Sequence, residues 1–393
     1  MIQFATASRL DGISEYYFAT KLREIAQMRA EGIPVVNLGI GSPDLPPAPE
    51  VAEALQHHSQ QSGAHGYQSY TGLPALRAAW AAWYGQYYHT SLTADHVLPL
   101  IGSKEGIMHV AMTFLQPGDV ALVPDPGYPT YKAASLLAGA SVHPYSLDEA
   151  HHWRPDLEAL EQADLSKVKL MWVNYPHMPT GAPADAELFA SLIAFARKHH
   201  ILLVNDNPYS FILNEHPMSI LSVAGGMEVA IELNSLSKSH NMAGWRMGAL
   251  LGRPDLLQAV LRFKSNMDSG QFLPAQHAAI TALQLPATWY STLNETYRQR
   301  QQKAFELLRL TGATFDEQQQ GLFVWAKVPE HWSDGYALSD YLLYESKVFL
   351  TPGGIFGPAG QSYIRISLCQ DVAVFDQAIH QISSITELPI DLT

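Results

Sequence analysis

Apolar and polar positions along this chain alternate between two periods. Tyr17, Phe18, Leu22, Ile25 and Met28 recur at helical spacing, which predicts a helix over 14–32 that Gly32 and Pro34 end. Residues 35–40 read as a short strand leading into the turn Gly41-Ser-Pro-Asp44. Helices are expected over 49–58 and 73–88, the second begun by Pro74, a residue suited to a first helical turn. Short apolar runs then alternate with helical stretches. The strands are expected at 97–101, 119–123, 168–173, 201–205, 229–233 and 248–251, and the helices at 104–115, 131–138 and 186–199. That rhythm predicts an α/β fold with a mostly parallel sheet covered by helices on both faces. Ligands in such sheets bind beyond the carboxyl ends of the strands. The last third changes style, with a long helical region over 286–310 followed by strand-like runs at 322–326, 348–350 and 363–367. These read as a smaller α+β domain. The expected division is a large domain over 46–285 and a small domain formed by 1–45 and 286–393.

Composition narrows the partners. The chain has 393 residues, enough for two or three domains with ample core. Only 16% of residues are charged, against roughly 25% in an average domain. With 18 Tyr and 8 Trp, this suggests much buried surface, a subunit interface included. The net charge of −13 argues against a nucleic-acid partner, so an anionic cofactor must be held by local donors. The single cysteine, Cys369, allows no intrachain disulfide and fits a reducing cytoplasm. The first eleven residues have no secretory pattern, and no apolar run approaches the ~20 residues of a membrane span. The doublets His57-His58, His151-His152 and His199-His200 lack Cys or Glu at ligand spacing and read as surface histidines, so no metal is expected.

Candidate chemistry concentrates at strand ends. Asn234-Ser-Leu-Ser-Lys-Ser-His-Asn-Met-Ala-Gly-Trp-Arg-Met-Gly248 places Lys238 among Ser235, Ser237 and Arg246. A lysine amine forms Schiff bases with carbonyl cofactors such as pyridoxal phosphate, and the hydroxyls and guanidinium suit a phosphate. A solvated loop lysine is the plainer reading. Gly102-Ser-Lys-Glu-Gly106 opens a helix, where backbone amides, Ser103 and Lys104 suit an anion, although many strand-to-helix turns look alike. Tyr128, in Asp125-Pro-Gly-Tyr-Pro-Thr-Tyr131, is either a stacking face for a planar ring or a packed turn residue. Asp206 ends a buried strand and needs a partner, which a pyridinium N–H would supply, or else it caps a helix. Tyr209 follows three residues on. Arg365, in Tyr363-Ile-Arg-Ile-Ser367, either grips a carboxylate with its planar fork or pairs with an acid of the chain.

Taken together, these segments resemble the class I aminotransferases, which are fold type I enzymes dependent on pyridoxal phosphate. The resemblance covers nearly the whole chain and rests on the Ser-x-x-Lys motif, with Arg eight residues after the Lys. It implies that Lys238 carries the cofactor, Asp206 pairs with the ring nitrogen and Tyr209 reaches the ring oxygen. It implies stacking by Tyr128, contact by Asn174, and a phosphate cup of Ser103, Lys104, Ser235, Ser237 and Arg246. Arg365 and the Gly41 amide would take the substrate α-carboxylate. Tyr67, placed by its spacing to Gly72, would reach the partner's phosphate in a homodimer. The implied reaction moves an amino group between an α-amino acid and a 2-oxo acid by a ping-pong mechanism. A β-eliminating C–S lyase on the same fold is the nearest alternative. A non-catalytic regulator that binds pyridoxal phosphate is an alternative of another class. Lys264-Ser-Asn-Met-Asp-Ser-Gly-Gln-Phe272 and Ser14-Glu-Tyr-Tyr-Phe18 resemble a subgroup that includes LL-diaminopimelate, alanine and aspartate aminotransferases. Tyr16, Tyr17 and Phe356 are candidates for the distal pocket or for interface core.

One position departs from the pattern. Where the family has Asn-x-Pro-x-Asn-Pro-Thr-Gly, this chain reads Asn174-Tyr-Pro-His-Met-Pro-Thr-Gly181. Met178 replaces an amide that donates to the cofactor's ring oxygen, and a thioether cannot donate. Asn174 and Tyr209 are the expected compensating donors.

Overall fold

The computed structural model describes residues 4–11, 13 and 17–385. In chain order its strands are β1 (Val36–Asn37), β2 (Val97–Leu100), β3 (Val120–Asp125), β4 (Ser141–Ser146), β5 (Val168–Val173), β6 (Leu202–Asp206), β7 (Ala230–Ser235), β8 (Gly248–Gly252), β9 (Phe323–Lys327), β10 (Val348–Phe349), β11 (Thr351–Pro352) and β12 (Tyr363–Ser367). Seven of them form one sheet in the order β2-β8-β7-β6-β5-β3-β4. The pairings from β7 through β4 are parallel, and β8 runs antiparallel to both of its neighbours. The carboxyl ends of β2, β3, β5, β6 and β7 therefore share one edge of the sheet.

Burial on both faces explains the continuous apolar strands. Met171, Val173 and Leu203 pack on one side with Leu76, Trp80 and Phe189. Leu170, Trp172 and Val204 pack on the other with Ile107, Val110 and Ala134. The helix Ala186–His199 shows how local sequence sets its ends. Asp185 accepts from the Leu188 amide at 2.8 Å, Arg197, Lys198 and His199 occupy the last turn, and His200 closes it in the left-handed region.

A second apolar cluster surrounds a three-stranded sheet of order β11-β12-β9, backed by the helices Ala287–Leu310 and Val372–Ser383. β1 pairs with β10 alone, so the strand expected over 35–40 is shorter than its apolar run. The reason is local. Past Leu38 the backbone serves side chains, and the Gly39 carbonyl accepts from Arg365 at 2.9 Å and Thr351 at 3.0 Å. Arg300 ties the long helix to the turn before the large sheet, reaching both Asp44 oxygens at 2.7 and 2.8 Å. Among the described residues, no helix is long and apolar enough to cross a membrane.

Candidate active site

β7 ends at Ser235, whose hydroxyl accepts from the Ser237 amide at 3.2 Å and so starts the short helix Leu236–Ser239. That turn carries Lys238 off the sheet edge. Its ammonium donates to the Gly41 carbonyl at 2.6 Å. Burial lowers the Lys238 pKa, and the guanidinium groups of Arg365 and Arg246 push the same way, against Cys369 and Asp206.

Asp206, at the end of β6, is buried, and its Oδ2 accepts from the Tyr131 hydroxyl at 2.9 Å. Burial pushes its pKa up to about 6, with the Tyr131 and Ser103 hydroxyls opposing. Ser103 lies close enough to be felt there, yet neither Ser103 Oγ nor Asp206 Oδ1 completes a hydrogen bond. Asn174, at the end of β5, accepts from the Met178 amide at 2.8 Å and donates to the Asp206 carbonyl. Burial also raises the Tyr209 pKa. Tyr128 stands before the helix Pro129–Leu137 and meets Tyr131 edge-on at 5.6 Å.

Gly102 has a φ of +105°, and a Cβ there would lie 2.4 Å from Arg246 Nη2. Only glycine allows that close approach. Arg246 Nη1 donates to the Ala243 carbonyl at 2.8 Å, and Lys104 is exposed beside it. Ser235 and Ser237 hold their hydroxyls 2.8 Å apart.

On the opposite wall, Arg365 is 4% exposed. Its guanidinium carbon lies 3.9 Å from the Phe323 ring centre and 4.6 Å from that of Phe356. Nη1 donates to Met178 Sδ at 3.4 Å. A Cβ on Gly41 would strike the Phe323 ring at 2.3 Å, so glycine is needed for the backbone to run beside that ring.

One cavity of about 570 Å³ is lined by every expected site residue except Tyr67: Gly41, Ser103, Lys104, Tyr128, Asn174, Asp206, Tyr209, Ser235, Ser237, Lys238, Arg246 and Arg365. Tyr67 is 93% exposed, pointing away from its own chain's core. The cavity also includes residues the sequence reading did not single out as site residues, chiefly Tyr131, Phe323, Ile40 and Leu22. Tyr131 had a signal, since it follows Tyr128 by three residues and lies in the first turn of the helix that begins after it. Of the distal candidates, Phe356 lines the cavity, whereas Tyr17 packs edge-on against Tyr336 at 5.7 Å. Tyr16 lies outside the described residues, as does most of the segment 14–18. A wider polar groove of about 1080 Å³, lined by Trp325 and Tyr363 among others, holds none of the expected residues.

The aminotransferase class I and II family matches residues 33–382. The chain belongs to this family. It is 40% identical over 392 residues to LL-diaminopimelate aminotransferase of Oleidesulfovibrio alaskensis, covering 98% of this chain and 100% of that one. It is 41% identical to LL-diaminopimelate aminotransferase of Dehalococcoides mccartyi, covering 92% of this chain and 94% of the other. Among solved structures, substrate-bound BacF of Bacillus subtilis superposes with a TM-score of 0.93 at 34% identity, over 97% of both chains. The fold is the α/β fold of type I pyridoxal-phosphate enzymes, and the chain is an aminotransferase.

The aminotransferase cavity fits that cofactor on three observations. The buried Asp206 Oδ1 lacks a partner, as a pyridinium N–H would require. Ser103 Oγ, also buried and unpartnered, stands at a helix N-terminus beside Arg246, a donor set suited to a phosphate. Lys238 reaches the same space with an amine shifted toward its neutral form.

Proposed function

We propose that this aminotransferase uses pyridoxal phosphate held by Lys238, Asp206, Asn174, Tyr128 and Tyr209, with Ser103, Lys104, Ser235, Ser237 and Arg246 around the phosphate. The observation that carries this reading is the convergence of Lys238, the half-bonded Asp206 and Arg365 on one cavity of about 570 Å³. When bound, the cofactor supplies an aldehyde for covalent attachment and a protonated ring that draws electron density from the substrate α-carbon. Asp206 keeps that ring protonated, since an ionised carboxylate against a ring N–H favours both charges. Lys238 first anchors the cofactor, and once released its amine accepts the α-proton of the amino donor. Desolvation, with two nearby guanidinium groups, lowers the pKa of that amine and so favours its neutral, proton-accepting form. Arg365 orients the donor by its α-carboxylate, assisted by the Gly41 amide. The aromatic rings beside Arg365 exclude water from that contact and strengthen it.

The amino donor is an α-amino acid and the acceptor a 2-oxo acid. The named relatives make LL-diaminopimelate the first donor to test. The reading extends to a homodimer in which Tyr67 reaches the partner's phosphate. It is supported by the exposed large apolar side chains of Tyr67, Tyr70, Ile101, Met267 and Phe272, and by the Lys264 amine, which bonds the Tyr70 carbonyl at 3.3 Å and so ties two of these segments together. It extends also to a cytoplasmic location, in keeping with one free, buried cysteine. It includes two domains, 46–285 and 1–45 with 286–393, supported by separate apolar clusters around the two sheets.

Borohydride reduction of the protein loaded with pyridoxal phosphate, followed by peptide mass analysis, tests the core of this reading. A reduced adduct on Lys238, lost together with turnover in Lys238→Ala, is expected. An adduct elsewhere, or near-normal transamination by that variant, would overturn it.

A further inference from the structure

β2 lies at the edge of the seven-stranded sheet, paired with β8 alone among the described strands. Side chains secure its end. The peptide unit between Leu100 and Ile101 is gripped at both poles. Its carbonyl accepts from Gln271 Nε2 at 2.8 Å, and its N–H donates to Glu105 Oε2 at 2.6 Å. Gly102 follows, and Ser103 and Lys104 then open the helix Ser103–Phe114. Gly102 offers that helix no side-chain cap, and Glu105, in the first turn, reaches back past it.

Glu105 is itself held. Its Oε1 accepts from His109 Nε2 at 2.8 Å, one turn on, and the His109 ring meets Phe263 edge-on at 5.4 Å. The Glu105 and His109 side chains are 8% and 2% exposed. Both carboxylate oxygens are engaged, in a first helical turn where the dipole favours negative charge. Ser103, Lys104 and Arg246 line the cavity, whereas Glu105, His109 and Gln271 stand behind it. Gln271 Nε2 also reaches the Arg246 carbonyl at 3.4 Å. Arg246 in turn crowds Gly102, where an added Cβ would lie 2.4 Å from Nη2. One clamp outside the cavity thus ties the helix start to the arginine beside it.

We propose that Glu105 and Gln271 are positioning residues for the cofactor's phosphate group: they fix the Leu100–Ile101 peptide, and through it the turn that presents Ser103 and Lys104 and seats Arg246. The proposal rests on the reading of Ser103, Lys104 and Arg246 as phosphate donors. Anion binding at a helix start depends on converging donors, so a loosened turn weakens the hold on a phosphate and spares the hold on an aldehyde.

The test titrates full-length, cofactor-stripped protein with pyridoxal phosphate and, separately, with pyridoxal, which keeps the ring and aldehyde and lacks the phosphate. The visible band reads both affinities. Wild type, Glu105→Ala, Glu105→Gln, Gln271→Met and Arg246→Gln are compared. Glu105→Ala and Gln271→Met should each weaken pyridoxal phosphate about tenfold and leave pyridoxal within about twofold of wild type. Glu105→Gln keeps an oxygen for the Ile101 N–H and should restore pyridoxal phosphate to within about threefold of wild type. Gln271→Met nearly conserves volume and is expected to fold, so the test does not hang on Glu105→Ala alone. Equal weakening of both ligands by the clamp variants would mean a general loss of structure and would overturn the proposal. So would wild-type affinity for pyridoxal phosphate in Glu105→Ala and Gln271→Met while Arg246→Gln loses it. Wild-type behaviour in Arg246→Gln overturns the phosphate reading of that arginine, independently of Glu105.

Discussion

The Tyr131 hydroxyl donates to Oδ2 of Asp206 at 2.9 Å, and Oδ1 of the same carboxyl has no hydrogen-bond partner among the described residues. One oxygen is thus held by the chain and the other faces the cavity. In Tyr131→Phe the carboxyl loses a donor that favours its charged form, and its pKa climbs further above about 6. A neutral Asp206 cannot pair with a cationic ring. We expect kcat to fall about tenfold and the acid limb of the kcat profile to move to higher pH. An unshifted acid limb would argue against the coupling.

Asp206 also sets a pH dependence of stability in the cofactor-stripped protein. Its carboxyl titrates near 6 in the folded chain and from an ordinary value of 3.8 otherwise. Between those values the native chain binds more protons than the unfolded one, so stability falls as pH rises through that window and levels off above it. The loss is on the order of 3 kcal/mol. Urea unfolding of wild type and Asp206→Asn across pH 4–7 measures it. The wild type's advantage should shrink toward pH 6, and parallel curves would rule out the buried carboxyl as the cause.

Hybrid dimers test the exposed Tyr67. Lys238→Ala protomers mixed with Tyr67→Ala protomers form dimers with both defects in one site and neither in the other, provided Tyr67 acts across the interface. Such hybrids should recover about half of wild-type activity per dimer. If Tyr67 served its own chain's site, mixing would restore nothing.

Gly102→Ala places a Cβ against Arg246 Nη2 and strains a backbone of φ +105°. The strain costs about 1–2 kcal/mol, and the displaced guanidinium should weaken cofactor rebinding about tenfold. Absorbance titration of stripped protein with pyridoxal phosphate reads the affinity. Wild-type affinity in this variant would remove Arg246 from the phosphate cup.

Glu232 is buried behind Asp206 and accepts from Tyr84 at 2.8 Å, Asn205 at 2.8 Å, Asn207 at 3.3 Å and the Ile220 amide at 3.1 Å. Asn205 and Asn207 flank Asp206, so this carboxyl pins the strand end that carries it. Glu232→Leu strands those donors and should destabilise the chain by about 3–5 kcal/mol, read as a lower unfolding midpoint. A loss under about 1 kcal/mol would mean that the network reorganises around the gap.

Periodicity made the strands Val168–Val173 and Tyr363–Ser367 and the helix Ala186–His199 legible to the residue. It did not reveal β4, an edge strand whose His143, Pro144 and Ser146 break the apolar pattern because only one neighbour pairs with it. Nor did it reveal the helix Leu273–Leu283, where Ala278, Ala279 and Ala282 are buried in a segment too apolar to show a polar face. The helix Val372–Ser383 had a signal in Phe375, Ala378 and Ile382.

By itself, the order of residues determined the α/β rhythm, the glycine at 102 and the presence of Lys238, Asp206 and Arg365 at strand ends or within a strand. Those are local properties, set by backbone period, turn chemistry and side-chain type within a few residues. Only the tertiary structure decided that Tyr131 holds Asp206, that Met178 turns its sulfur to Arg365, and that β12 lies between β9 and β11 with Arg365 opposite Thr351 and Trp325. Those partners lie 14 to 187 positions apart, and a hydrogen bond forms with whatever group packing brings within about 3 Å, which no local pattern encodes.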